Sequence, residues 1–169
     1  MSANHSEFMR AANERRLASF RKNSRFIKGV RWLGTLDRQC CAICAALDRA
    51  GWDLDGNPLG DHGFHFHAPP LHPDCRCVLS PIPKSEPDEG PTIGARASCE
   101  GPIDVGTTFQ DFLERQSATF VKGVLGQERV NLFLSGKLAL RDFVTPDCRE
   151  RTLPELQAQL AGKAQPNAD

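Results

Sequence analysis

Two short clusters, Cys41-Ala42-Ile43-Cys44 and His72-Pro73-Asp74-Cys75-Arg76-Cys77, constrain this chain more than anything else in it. Two thiols separated by two residues form a knuckle whose backbone turn aims both sulfurs at one point, and a second short-spaced pair can complete a tetrahedron around zinc. The loop from Cys44 to His72 is longer than a usual zinc-finger spacing, so the pattern predicts a zinc site without matching a named finger. If residues 75–82 (CRCVLSPI) form a strand, alternation puts Cys75 and Cys77 on one face and Arg76 on the other. With Cys40 and Cys41 side by side, six candidates compete for four places. A filled four-ligand shell leaves no position for water, so the expected zinc is structural. Binding worth on the order of 10 kcal/mol is enough to order so long a loop.

The rest of the composition narrows the setting. The seven cysteines are an odd number, and five of them crowd into positions Cys40, Cys41, Cys44, Cys75 and Cys77. In a reducing compartment that crowding favours metal ligation over a disulfide framework. No window approaches the roughly 18 consecutive apolar residues a membrane span needs, and the first residues, MSANHSEFMR, lack a signal-peptide apolar region, so the chain is expected to stay inside the cell. Lys plus Arg and Asp plus Glu balance at 21 each. No whole-molecule field therefore draws it to nucleic acid or membrane, and any such contact must come from a local patch.

One such patch is the N-terminal arm. Residues 6–28 contain neither Gly nor Pro and read as one helix, with Phe8, Ala12, Leu17, Phe20 and Ile27 as a loose apolar stripe. Arg10, Arg15, Arg16, Arg21, Lys22, Arg25 and Lys28 outnumber Glu7 and Glu14 there, and the balancing acids lie elsewhere, around Asp53, Asp55, Glu86, Asp88 and Glu89. Lysines and arginines near phosphates release counterions and add affinity, so DNA backbone contact is one use of this helix. No motif for base readout accompanies it.

The expected fold class is α+β: a small zinc-knuckle module with short strands (29–83), flanked by the basic helix (1–28) and a helical C-terminal unit (107–162). Val30, Trp32 and Leu33 suit a short strand, and a short helix is expected over 42–48. Residues 84–106 concentrate Pro, Gly, Ser and acid, which is linker composition, and 163–169 form a tail. Beyond the linker, Thr107 and Thr108 offer an N-cap to a helix running to Gly126, and 128–134 and 138–144 suggest two further short helices. Thr152 with Glu155 reads as a capping box before Leu156 and Leu160.

Other chemistry-bearing residues fit plainer roles. His62, His65 and His67 could hold a metal or move protons, but no HExxH-like carboxylate pattern accompanies them, and a solvated loop is the favoured reading. Asp37 and Asp48 bracket the first knuckle and are expected to cap turns or pair with Arg76. Trp32 and Trp52 are expected in the core or over the metal site. The competing class is an enzyme, a metal-dependent nuclease or hydrolase using His62, His65 or His67 with Asp37 and an open metal site. A third class is a bacterial zinc-ribbon adaptor with a soluble partner.

Three stretches taken together resemble a known family. Trp32-Leu33-Gly34-Thr35-Leu36-Asp37, then Cys41-Ala42-Ile43-Cys44-Ala45-Ala46-Leu47-Asp48, then Pro69-Pro70-Leu71-His72-Pro73-Asp74-Cys75-Arg76-Cys77 are similar to the signature of phage Mu F-like minor head proteins. The resemblance covers about residues 25–83. It implies a low-copy component of tailed-phage or prophage heads, acting in head morphogenesis, DNA packaging or DNA delivery. The implied partners are portal or capsid proteins, with no membrane involved. The implied location is the host cytoplasm during assembly and then the virion head. Carried over by position, the implied ligands are Cys41, Cys44, His72 and Cys75, with Cys77 the substitute for His72 or Cys75; Cys40 falls where no ligand is expected. The resemblance implies no catalytic reaction.

Overall fold

The computed structural model describes residues 2–87, 90–91 and 93–163. Helix α1 (Ser2–Lys22) leads into β1 (Ile27–Leu33), α2 (Ala42–Leu47), β2 (Gly51–Asp53), β3 (Pro58–Leu59) and β4 (Val78–Pro83). The strands make an antiparallel sheet in the order β3-β2-β1-β4. A hairpin follows, β5 (Ala95–Ser98) with β6 (Gly101–Asp104), and then α3 (Phe109–Glu114), α4 (Ala118–Leu125), α5 (Val130–Leu134), a 3-10 turn (Leu140–Phe143) and α6 (Leu153–Lys163). The chain is α+β, as its sequence predicts.

Strand β1 sits at the centre of the sheet because it is apolar on the side the helices cover. Val30 and Trp32 are fully buried, paired across the sheet with Trp52 and Leu79 respectively. Arg31 points to the other face, where it forms an ion pair with Glu86. Gly29 allows β2 to come this close, since a Cβ there would collide with the Trp52 carbonyl.

Helix α1 ends earlier than the sequence suggests. It stops at Lys22, and Ile27, expected on its apolar stripe, begins β1. The stripe itself is thin: Leu17 and Phe20 pack on the core while Phe8 is 64% exposed. What fastens the helix is Asn13, whose side chain is fully buried. Its Nδ2 donates to the Cys77 carbonyl at 3.3 Å and its Oδ1 accepts from the Leu79 N–H at 3.0 Å. The amide thus imitates a neighbouring strand at the start of β4.

Two expectations are corrected. The stretch 84–106, expected as a linker, contains the β5–β6 hairpin, which docks on the first module through an isolated bridge from Leu36 to Ser98 and the bond from Cys99 N–H to the Leu36 carbonyl, 2.9 Å. Its turn residues, Gly94 and Gly101, have the positive φ that gives the segment its linker-like composition. The single helix expected up to Gly126 is two, because Ser117 caps a fresh start and accepts from the Phe120 N–H. The expected caps at Thr108 and at Thr152 with Glu155 are present. Asp88 and Glu89, read as part of the acidic balance, and nearly all of the 163–169 tail lie outside the described residues.

The buried cluster runs without a break from Val30 through Phe109, Phe112, Val121 and Phe143 to Leu156, so the cysteine-bearing module and the C-terminal helices share one core. At their junction lies a buried ion pair. Arg96 donates to both carboxylate oxygens of Asp48, at 2.8 and 2.6 Å, and to the carbonyls of Thr107 and Gly34, both at 2.8 Å. Asp48 also accepts from the Gly34 and Phe109 N–H groups, at 3.1 and 3.0 Å. One carboxylate thereby ties the end of β1, the end of α2, the hairpin and the start of α3. Removing one partner of a buried pair leaves an uncompensated charge, at a cost of about 3–5 kcal/mol. Arg96→Met is expected to lower stability by about that amount in urea unfolding, and a loss near zero would show that Asp48 holds the junction unaided.

Candidate metal centre

The first knuckle is built by the start of α2. Cys41 is its N-cap, in extended conformation, and its sulfur accepts from the Cys44 N–H at 3.4 Å. The second is built by a turn rather than a strand. Cys75 N–H donates to the His72 carbonyl at 3.3 Å, and Asp74 between them takes the left-handed conformation, with φ of 59°, that aspartate tolerates better than most residues. Strand β4 begins only at Val78, so Cys75 and Cys77, expected within that strand, lie in the turn before it. They nonetheless enter the cluster while Arg76 turns away.

The two knuckles meet. His72 Nε2 lies 3.2 Å from the Cys41 sulfur and 3.3 Å from that of Cys44, and the Cys44 and Cys75 sulfurs are 3.8 Å apart. Among the described residues, two groups of donors could hold a metal ion: Cys41 with Cys44 and His72, and Cys44 with Cys75 and Cys77. Cys44 belongs to both. The five residues singled out in the sequence are therefore brought together around a cavity of about 10 Å³, room for a single body the size of a water molecule.

The imidazole is set for ligation. The Nδ1–H of His72 donates to the Pro73 carbonyl at 2.7 Å, which leaves the Nε2 lone pair facing the sulfurs. Outside the cluster, Arg76 grips Asp37 with two bonds of 2.9 and 2.6 Å and so clamps the two knuckle segments together. Burial works against the charge on Asp37, but the Arg76 bonds outweigh it and hold the carboxyl below its usual range. Asp48, the other carboxylate that brackets the first knuckle, is taken by Arg96 instead.

The thiols compete for charge. A hydrogen bond with Cys44, opposed by burial and helped by the N–H groups at the head of α2 and by His72, lowers Cys41 to about 6. Hydrogen bonds with Cys40, Cys44 and Cys75 outweigh burial and push Cys77 strongly down. Cys44 is pushed up by its Cys41, Cys75 and Cys77 neighbours, and Cys40 is pushed up by Cys77 and by burial. So many sulfurs in one buried space cannot all ionise unless a cation joins them.

The residues of the enzyme reading are not assembled. His62 has both ring nitrogens engaged, Nε2–H donating to the Gly51 carbonyl at 2.7 Å and Nδ1 accepting from the Phe64 N–H at 3.1 Å. Burial lowers its pKa, so the neutral ring persists. His65 is exposed and pairs with Asp147, His67 is exposed, and Asp37 is held by Arg76. None of these four belongs to a donor group able to hold a metal among the described residues. Asn13, which pins α1 to the Cys77 carbonyl, is not legible in the sequence, since a single asparagine in a polar helix carries no signal.

Fold and site together define an α+β protein with a buried Cys/His cluster able to hold a metal ion. Comparison with family models, with curated proteins and with solved structures finds no match. The shared position of Cys44 gives a direct test. Cys44→Ser is expected to reduce bound metal, measured by elemental analysis of the purified chain, at least as severely as any other single change, whereas Cys40→Ser is expected to retain it. Loss of metal in Cys40→Ser alone would redraw the ligand set.

Proposed function

We propose that this chain is a non-enzymatic binding module fastened by one structural zinc ion, and that it serves as a minor head protein of a tailed phage or prophage. The observation that carries the reading is the meeting, at one cavity, of the two halves of the Mu F-like signature, Cys41 and Cys44 with His72, Cys75 and Cys77.

Zinc is favoured by donor chemistry and size. Bonds of about 2.3 Å to sulfur and about 2.0 Å to nitrogen imply tetrahedral edges of about 3.8 Å between sulfurs and about 3.5 Å from sulfur to nitrogen. The Cys44–Cys75 separation of 3.8 Å and the His72 separations of 3.2 and 3.3 Å fit those edges. Thiolates with imidazole suit zinc better than magnesium or calcium. Cys41, Cys44 and His72 supply three places and Cys75 or Cys77 the fourth, which completes the shell and supports a structural rather than a catalytic ion.

A module of this kind acts through surfaces. Helix α1 displays Arg10, Arg15, Arg16, Arg21 and Lys22, all exposed, and suits an acidic portal surface or the DNA backbone. The helical unit after Thr107 offers the second face, for capsid.

Elemental analysis of the purified chain is expected to give one zinc per molecule, and a chelator is expected to lower the melting temperature and loosen the fold. Acid is expected to do the same: ligand thiolates reprotonate as pH falls, so zinc is retained at neutral pH and released below about 5. A metal-free chain with an unchanged melting temperature would overturn the zinc part. The head assignment is tested by mass spectrometry of purified particles and by co-purification with a portal protein of the same phage or prophage. Presence in heads or on the portal is expected; absence from both overturns the assignment.

A further inference from the structure

A second site lies away from the sulfur cluster, where the loop carrying His62 meets the C-terminal unit. Asp61, His62, Arg141, Asp142, Arg151 and Gln159 are the polar residues lining a pocket of about 250 Å³ there. The loop is held rigidly: Trp52 Nε1–H donates to the Phe64 carbonyl at 2.8 Å, the His65 N–H donates to the Pro146 carbonyl at 2.9 Å, and His62 packs edge-on against Trp52.

The charges around this pocket do not balance locally. In the C-terminal unit, Glu150 is taken by Arg129, Glu155 by Arg149, Asp142 by Lys163 and Asp147 by His65. Arg141 and Arg151 are left over, and no ion pair or side-chain hydrogen bond satisfies either guanidinium among the described residues. The Nε of Arg151 is buried with no partner, and so is the Oε1 of Gln159, whose Nε2 donates to Asp142 at 2.7 Å. An unsatisfied buried polar group is costly, and a group held in that state beside a pocket marks a place for a ligand. Arg141 itself is exposed on the pocket wall, and Asp48, whose charge also acts on it, is already committed to Arg96.

We propose that this pocket binds a small oxyanion of the phosphate class, gripped by Arg141 and Arg151. Two guanidinium forks offer several N–H donors in a geometry that suits a tetrahedral oxyanion with multiple acceptor oxygens. The pocket is smaller than a drug-sized site, which limits the ligand to a free anion or a compact ester. Gln159 Oε1 and the exposed Asp61 carboxylate are acceptors awaiting donors, which a hydroxyl-bearing phosphate ester supplies beside its phosphate. This site shares no residue with the metal centre and stands whether or not zinc is bound.

Calorimetric titration of the full chain in a phosphate-free buffer of low ionic strength tests it, with inorganic phosphate, ribose 5-phosphate and ribose as probes. Saturable binding of phosphate or of the ester is expected, and none of ribose. Tighter binding of the ester places its hydroxyl at Gln159, and tighter binding of inorganic phosphate assigns the pocket to the free anion; either order supports the site. Arg141→Gln and Arg151→Gln lack native partners to lose, so both are expected to fold, checked by circular dichroism and melting temperature. Each is expected to weaken binding about tenfold or more, as befits loss of a charged hydrogen-bond donor. No binding up to about 10 mM, weaker than any useful affinity, or equal binding by the double variant, would overturn the proposal.

Discussion

The crowding of thiols at the head of α2 is the constraint on which the rest of this molecule turns. Cys40, Cys44, Cys75 and Cys77 are all buried, and Cys41 is half-buried beside them. In water a thiol is a mild acid, but in a buried space each sulfur that ionises raises the cost for its neighbours. The structure divides the charge, favouring Cys41 and Cys77 and opposing Cys40 and Cys44. A divalent cation held there would remove that competition by giving every ligand sulfur an opposite charge, which couples metal binding to folding in small modules. The long loop between Cys44 and His72 then closes without a large core of its own.

That arrangement is braced from both sides by arginine–carboxylate pairs that differ in burial. Arg76 with Asp37 lies at the rim of the cluster, where solvent screens it and its worth is modest, so its role is to fix which way the residue between Cys75 and Cys77 turns. Arg96 with Asp48 is buried and saturated with backbone partners, so its geometry is determined and its disruption is expensive. The first orients a ligand segment. The second decides how the C-terminal helices sit on the module.

How much of this could be read in the sequence follows from the range of the interaction concerned. The knuckles, the cap at Thr108, the capping box at Thr152 and the burial of both tryptophans depend on spacing within a few residues or on side-chain size, and the sequence displays both. The hairpin at 95–104 was hidden because its glycines and prolines carry the composition of a linker, and only docking against Leu36 shows them to be turn residues. The end of α1 is hidden because no Gly or Pro punctuates residues 23–26, and the pairing of Ile27 with Pro83 overrides local helix propensity. Partner choice was the least legible: Asp37 and Asp48 were equal candidates for Arg76, and chain topology alone decides between them.

Asn13 shows how these levels connect. Helix α1 has few apolar residues to bury, so its seat depends on an amide that reads the Cys77 carbonyl and the Leu79 N–H. Those groups directly follow the segment from Cys75 to Cys77 that enters the cluster. A cation held there would fix the segment leading into β4, which carries both of Asn13's partners. The seat of the basic helix and the segment that supplies Cys75 and Cys77 are thereby joined through one side chain, Asn13.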